Sequence, residues 1–155
     1  MNNINLLFSW AAPLAADIDA ARSSILISTL SMHPPRTQSG NNLCRLFDAL
    51  AAAAARGLAV DVIMAAVSGS HPATSFNHAA AASLASMGCR AHFAMPARLL
   101  HAKTAVIDSF IVWVGSGNWT AAAATFNHEA YIRAESSVMA ASMLEHWKTE
   151  GFIHG

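Results

Sequence analysis

The sequence predicts an α/β fold, a mixed β-sheet flanked by helices on both faces. Three observations predict it. β-branched apolar runs alternate along the chain with alanine-rich stretches of helical character. Gly57 and Gly88 each stand just past one of those stretches, where a left-handed residue ends a helix and glycine carries no Cβ penalty. No internal repeat divides the 155 residues, a length that suits one domain, residues 1–155, with one substantial core.

The elements follow in order. Pro13 and then Leu14 to Arg22 predict a first helix. Ser24-Ile-Leu-Ile-Ser-Thr-Leu30 is a β-branched apolar run and predicts a buried strand. Met32 to Gly40 carries breaker residues and is expected as a loop. Asn42 to Arg56 predicts a long helix stopped by Gly57, and Leu58 to Ala65 a second buried strand. After a loop over Val67 to Ala73, Thr74 to Met87 is helical and ends at Gly88, and Cys89 to Met95 is a third strand. Pro96 to Leu99 turns the chain into a further strand, which Asp108-Ser109 connects tightly to Phe110–Gly115. Asn127 to Ala134 alternates and predicts another strand, and Ser136 to Glu150 a terminal helix. The alanine runs at 51–55 and 121–124 read as helix packing surfaces.

Composition narrows the function. Nine Lys and Arg balance nine Asp and Glu, so any basic patch is local, unlike the strongly basic surface of many nucleic-acid binders. Lysine occurs only at Lys103 and Lys148. Cys44 and Cys89 form no C-x-x-C pair and match no zinc spacing; two small buried thiols are expected. No run of 18 apolar residues predicts a transmembrane helix. Met1-Asn-Asn-Ile-Asn-Leu-Leu-Phe lacks the basic segment of an export signal. The compartment stays open, because a leader removed before Met1 leaves no trace.

Chemistry concentrates in one segment. His101, Lys103, Asp108, Gly115, Ser116 and Asn118 make the pattern H-x-K-x4-D-x6-G-S-x-N, present once. Six specified residues at fixed spacing arise by chance in such a chain only on the order of a few times in a million. Residues two apart on a strand share a face, so His101 and Lys103 are expected side by side. Asp108 has the opposite parity and falls at the strand end, which favours a structural or orienting role over direct attack. Ser116 and Asn118 follow the returning strand, so four of these side chains surround one phosphate-sized site. A neutral histidine can attack phosphorus, a second can protonate the leaving oxygen, and lysine and asparagine can stabilise charge on the nonbridging oxygens. A carboxylate bonded to the imidazole's other nitrogen would fix its tautomer, and Glu129 is the candidate.

That pattern resembles the motif of the phospholipase D superfamily. Gly115-Ser-Gly-Asn118-Trp-Thr-Ala-Ala-Ala, Asn127-His-Glu129 and Glu145-His-Trp147 are similar to the small bacterial endonucleases of the Nuc type, as are shorter stretches nearer the start. The resemblance implies a phospholipase D-like fold and a metal-independent phosphodiesterase without cofactor or metal ligands. It implies a homodimer, because single-motif members bring one histidine from each protomer to a shared site. His101 of one protomer would be the nucleophile, and the partner subunit's His101 the general acid and then base. Lys103 and Asn118 would hold phosphate, Ser116 would bond within the site, and Glu129 would orient His101. The expected substrate is DNA, with RNA as a second class. The alternative is a phospholipase D or phosphatidyl transferase acting on phospholipid headgroups, and a third reading is a noncatalytic nucleic-acid-binding module.

Weaker candidates surround the motif. Arg36 and Arg98 fall in loops, as phosphate contacts or as solvated side chains. Trp119 either stacks on a base or packs against the partner protomer, with packing favoured. His146-Trp-Lys148 repeats H-x-K on a helix, where residues two apart diverge, and reads as surface or interface structure. A hydrolase elbow, a phosphate loop ending in Gly-Lys, a dinucleotide fingerprint and a zinc-protease pair are all missing from the sequence.

Overall fold

The structure, a computed structural model, describes residues 3–35, 41–66, 71–94 and 99–152. In chain order the elements are β1 (Ile4–Leu7), α1 (Ala11–Ala20), β2 (Ser24–Thr29), α2 (Asn42–Ala55), β3 (Ala59–Ala65), α3 (Pro72–Ser86), β4 (Arg90–Ala94), β5 (Lys103–Ile107), β6 (Ile111–Gly115), α4 (Ala121–Thr125), β7 (Tyr131–Glu135) and α5 (Ser137–Thr149). The strands form one sheet in the order β1-β7-β6-β5-β2-β3-β4. β2, β3 and β4 run parallel, joined by helical crossovers, and every other pairing is antiparallel. The sheet is therefore mixed, as the alternation of elements predicts.

Strand side chains alternate between two cores. Ile25, Ile27, Val62, Met64, Ala105 and Trp113 face α1 and α2, which cover them with Leu14, Ile18, Leu46, Phe47 and Leu50. Leu26, Ile63, Ala65, Val106 and Val112 point to the opposite face, where Ala140 and Trp147 of α5 meet them. Helices thus flank both faces, several on one and α5 on the other. Cys44 and Cys89 are buried and form no disulfide, and burial pushes the Cys89 thiol up to about 11.

Helix ends carry their own signals. Asn41, Thr120 and Ser136 each accept a backbone N–H with the side chain at a helix start. Gly57 takes φ +86° beyond α2, the left-handed conformation that glycine adopts freely. α1 begins at Ala11, ahead of the expected Pro13, because proline fits a first turn whose N–H groups have no acceptor anyway. β1 was unexpected from the sequence. It pairs along β7, and its partner lies more than a hundred residues away.

The β5–β6 hairpin positions the motif. Asp108 and Ser109 both have φ of 53°, and the Phe110 N–H donates to the Ile107 carbonyl at 3.0 Å, the pattern of a type I′ turn. The register pairs Lys103 with Gly115. The start of β5 and the end of β6 consequently lie side by side at one end of the central strands.

Candidate active site

Lys103 opens β5 with only 5 % of its surface exposed. It is the one buried formally charged side chain among the described residues. Its Nζ donates to the His101 carbonyl at 2.7 Å and lies 3.1 Å from His101 Nδ1 and 3.4 Å from Nε2. His101 precedes the strand and is exposed, so the imidazole stands open beside the ammonium. Burial pulls the Lys103 ammonium below the ordinary lysine value, and the negative charge of Glu129 offsets part of that effect. Among the described residues no carboxylate forms a salt bridge with Lys103.

The Gly115-Ser-Gly117 turn is shaped by Tyr131. A Cβ on Gly115 would meet the Tyr131 ring at 2.2 Å, and one on Gly117 would come within 3.0 Å of its hydroxyl. Both glycines are therefore needed for close approach. The Tyr131 hydroxyl donates to the Gly117 carbonyl, and its ring stacks on Trp10 at 4.8 Å between centroids. Ser116 Oγ donates to Glu129 Oε2 and accepts from the Ala130 N–H at 3.1 Å.

Glu129 departs from expectation in two ways. Asn127 to Ala130 are not strand, since β7 begins at Tyr131. The carboxylate bonds Ser116 and, at 3.1 Å, Asn127 Nδ2; no bond to the His101 ring is made within the protomer. Ser116 engages the carboxylate first, because its Oγ sits directly across the β6–β7 junction.

Asn118 is held by the end of β2. Its Oδ1 accepts from the Ser31 N–H at 3.3 Å and from Thr29 Oγ1 at 3.4 Å, which leaves Nδ2 as the donor for a ligand. Trp119 packs inside its own protomer. It is 2 % exposed, packs against Trp10 and Phe47, and its N–H bonds the Ser31 carbonyl at 3.1 Å. Backbone pairing between 31–33 and 119 turns the indole into the core, and the apolar ring belongs there.

Asp108 lies at the far end of β5, about 16 Å of strand away from Lys103 at roughly 3.3 Å per residue. It accepts from the N–H groups of Arg22, Ser23 and Ser24 at 2.9, 2.8 and 3.1 Å and from Ser23 Oγ at 2.9 Å. Burial alone would raise its carboxyl, but these bonds outweigh burial and hold it below the usual range. It ties the hairpin to the start of β2 and touches no group of the site. Arg36 and Arg98 lie outside the described residues.

Several neighbours gave little sequence signal. Ser31 and His33, bonded to each other at 3.1 Å, follow β2 and abut Asn118; only the strand order brings them there. The last turn of α5 also reaches the site, with His146, Trp147 and Glu150 sharing a cavity wall with His101. His146-Trp-Lys148 is thus more than outer surface, although His146 itself is exposed. No cluster of three or more His, Cys, Asp or Glu that could hold a metal gathers among the described residues.

Comparison with known proteins adds context to this geometry. Residues 14–149 match the family model described as cardiolipin synthase, PLD-like domain. The fold is similar to that of Nuc from Salmonella typhimurium, a phospholipase D family member, with 25% identity over 97% of this chain and 94% of that one and a TM-score of 0.78. NucT from Helicobacter pylori superposes with a TM-score of 0.69 at 17% identity, over 97% of this chain and 94% of its own. Phosphatidylserine synthase from Haemophilus influenzae gives a TM-score of 0.69 at 11% identity, over 96% of this chain and 38% of that protein. The last two show likeness of fold alone. No curated protein sequence matches the chain.

Proposed function

This chain belongs to the phospholipase D-like family, and from that premise we propose that this phosphodiesterase-type hydrolase is an endonuclease. It cleaves DNA, and RNA as a second class, at a site shared by two copies of the chain. One observation carries the reading. A buried ammonium costs several kcal/mol unless it is paired, and among the described residues Lys103 is bonded only to the His101 ring and carbonyl, with Glu129 acting on it through its charge but forming no salt bridge. The substrate's phosphate is the missing counter-ion, held between Lys103 Nζ and Asn118 Nδ2.

The exposed His101 imidazole attacks phosphorus in line with the departing oxygen. The P–N bond forms as the P–O bond breaks, and the partner subunit's His101 gives its proton to the leaving oxygen. Water, deprotonated by the partner subunit's His101, then breaks the P–N bond and frees the phosphorylated end. Lys103 and Asn118 stabilise the nonbridging oxygens throughout. Ser116 and Glu129 brace the turn that carries Asn118. Asp108 and Trp119 act through the fold only.

An apolar sheet face supports the second copy. Leu6, Ile132 and Val114 align across β1, β7 and β6, on the same face as Val112 but beyond the reach of α5, and all three are exposed. Val114 adjoins Gly115 and Ser116, so a copy seated on this row lies next to the site. The likeness to Nuc of Salmonella typhimurium, a phospholipase D family member, supports this reading.

The test is a substrate panel assayed with EDTA: single- and double-stranded DNA, RNA, a simple phosphodiester and phosphatidylcholine vesicles. Nucleic acid is expected to be cut and His101→Ala to cut nothing. Headgroup release without nucleic-acid cleavage would replace this reading by phospholipid hydrolysis, and full turnover by His101→Ala would remove the mechanism.

A further inference from the structure

A cavity of about 320 Å3 lies between the last turn of α5 and the segment that leads into β5. Its walls include Leu99, His101, His146, Trp147, Glu150 and Phe152. The mechanism above uses only His101 of these. Resting on the nuclease reading, we propose that this cavity is the subsite for the nucleoside that stays attached to phosphorus during cleavage.

Position decides which side of the substrate it takes. The nucleophile and the leaving oxygen lie on opposite sides of phosphorus in an in-line displacement. A cavity with His101 in its wall is on the nucleophile's side, so the departing alcohol is elsewhere. The volume is at the small end of ligand sites, roughly 300–1,000 Å3, and suits one nucleoside.

Chemistry decides what fills it. The carbonyls at the C-terminal end of α5 carry partial negative charge, and Glu150 adds a carboxylate there, so a second phosphate is disfavoured. Trp147 is 5 % exposed, and its indole Nε1 is buried with no acceptor among the described residues. A buried donor without a partner is rare in folded proteins, and an acceptor carried by the ligand would supply one once the wall shifts to uncover the indole N–H. His146 and Phe152 lie against the Trp147 ring, with centroids at 4.7 and 5.6 Å. A quaternary ammonium headgroup accepts no hydrogen bond and would leave the indole N–H unpaired. A nucleoside offers carbonyl and sugar oxygens to the indole N–H, hydroxyl or amide donors to Glu150, and either kind to His146. Leu99, more than half exposed, gives an apolar surface for the base.

Two esters with the same leaving group read the subsite: the p-nitrophenyl ester of thymidine 5′-phosphate and methyl p-nitrophenyl phosphate. The wild-type protein is expected to prefer the thymidyl ester at least tenfold in kcat/KM, mostly through KM. Glu150→Ala, His146→Ala and Trp147→Phe should each lower that preference threefold or more, and Glu150→Ala reports even if the tryptophan variant fails to fold. Turnover of both esters without thymidyl preference, or a preference unchanged in the folded variants, overturns the subsite and leaves the nuclease reading standing. Variants that impair choline release from phosphatidylcholine vesicles instead also overturn it. Hydrolysis of neither ester and of no nucleic acid removes the nuclease reading, and the subsite with it.

Discussion

At the scale of single residues, Lys103 shows a function held against stability. Its side chain is almost fully buried and its ammonium is desolvated. Lys103→Met keeps the volume and removes the buried charge, a change that is often neutral or stabilising. The expected result is an unchanged or higher Tm together with a barrier higher by roughly 2–4 kcal/mol, about 30- to 1,000-fold in rate. Thermal melts and single-turnover kinetics on one preparation check both halves, and a near-wild-type rate rejects the role. The lowered value for the ammonium predicts a pH effect too. Charge on Lys103 is lost as pH rises, at a pH below the ~10.4 of an ordinary lysine. The alkaline limb of the kcat/KM profile should fall below that value; a limb at or above it contradicts the desolvation argument.

At the scale of elements, the β5–β6 hairpin is set at one end by Asp108 and at the other by Gly115. The carboxyl of Asp108 is held below its ordinary value, so its contribution is present above about pH 4 and is lost as pH falls through the folded-state value. Asp108→Asn should cost about 1–3 kcal/mol at neutral pH, and the gap should close in acid; urea titrations at several pH values measure it. Gly115→Ala drives a methyl into the buried Tyr131 ring and should cost roughly 1–3 kcal/mol, while moving the Ser116 turn. The hairpin was legible in the sequence, because turn residues and β-branched runs are local signals. So were α2 and α3, whose glycine stops are local too. β1 was not, because Ile4–Leu7 becomes a strand only against Tyr131–Ala134. Glu129 was a candidate from the need for a carboxylate beside the imidazole as well as from resemblance, yet its hydrogen bonds depend on the close of the β6–β7 turn, which no periodicity reveals. Trp119 misled for a related reason: beside Asn118 in sequence, it is swung into the core by backbone bonds to Ser31 and His33. His146 was noted only within a second H-x-K read as surface or interface structure, and Glu150 gave no signal, since α5 must cross the sheet to deliver them.

At the scale of the whole molecule, α5 covers one part of its sheet face and leaves β1, β7 and the edge of β6 bare. Leu6 is 62 % exposed and Ile132 44 %, and an apolar row of this kind marks an interaction surface. A second copy placed on it by a twofold axis would use the same patch on both subunits. Ile132→Lys combined with Leu6→Lys is expected to yield a folded monomer with little activity, and sedimentation alongside an activity assay distinguishes this from simple unfolding. A variant that remains dimeric and active moves the interface elsewhere. The most direct measurement uses hybrids of one wild-type and one His101→Ala subunit, isolated through two different tags. If one site draws an imidazole from each subunit, hybrids should lose at least a hundredfold in turnover. Half of the wild-type rate, as two independent sites would give, contradicts the shared site.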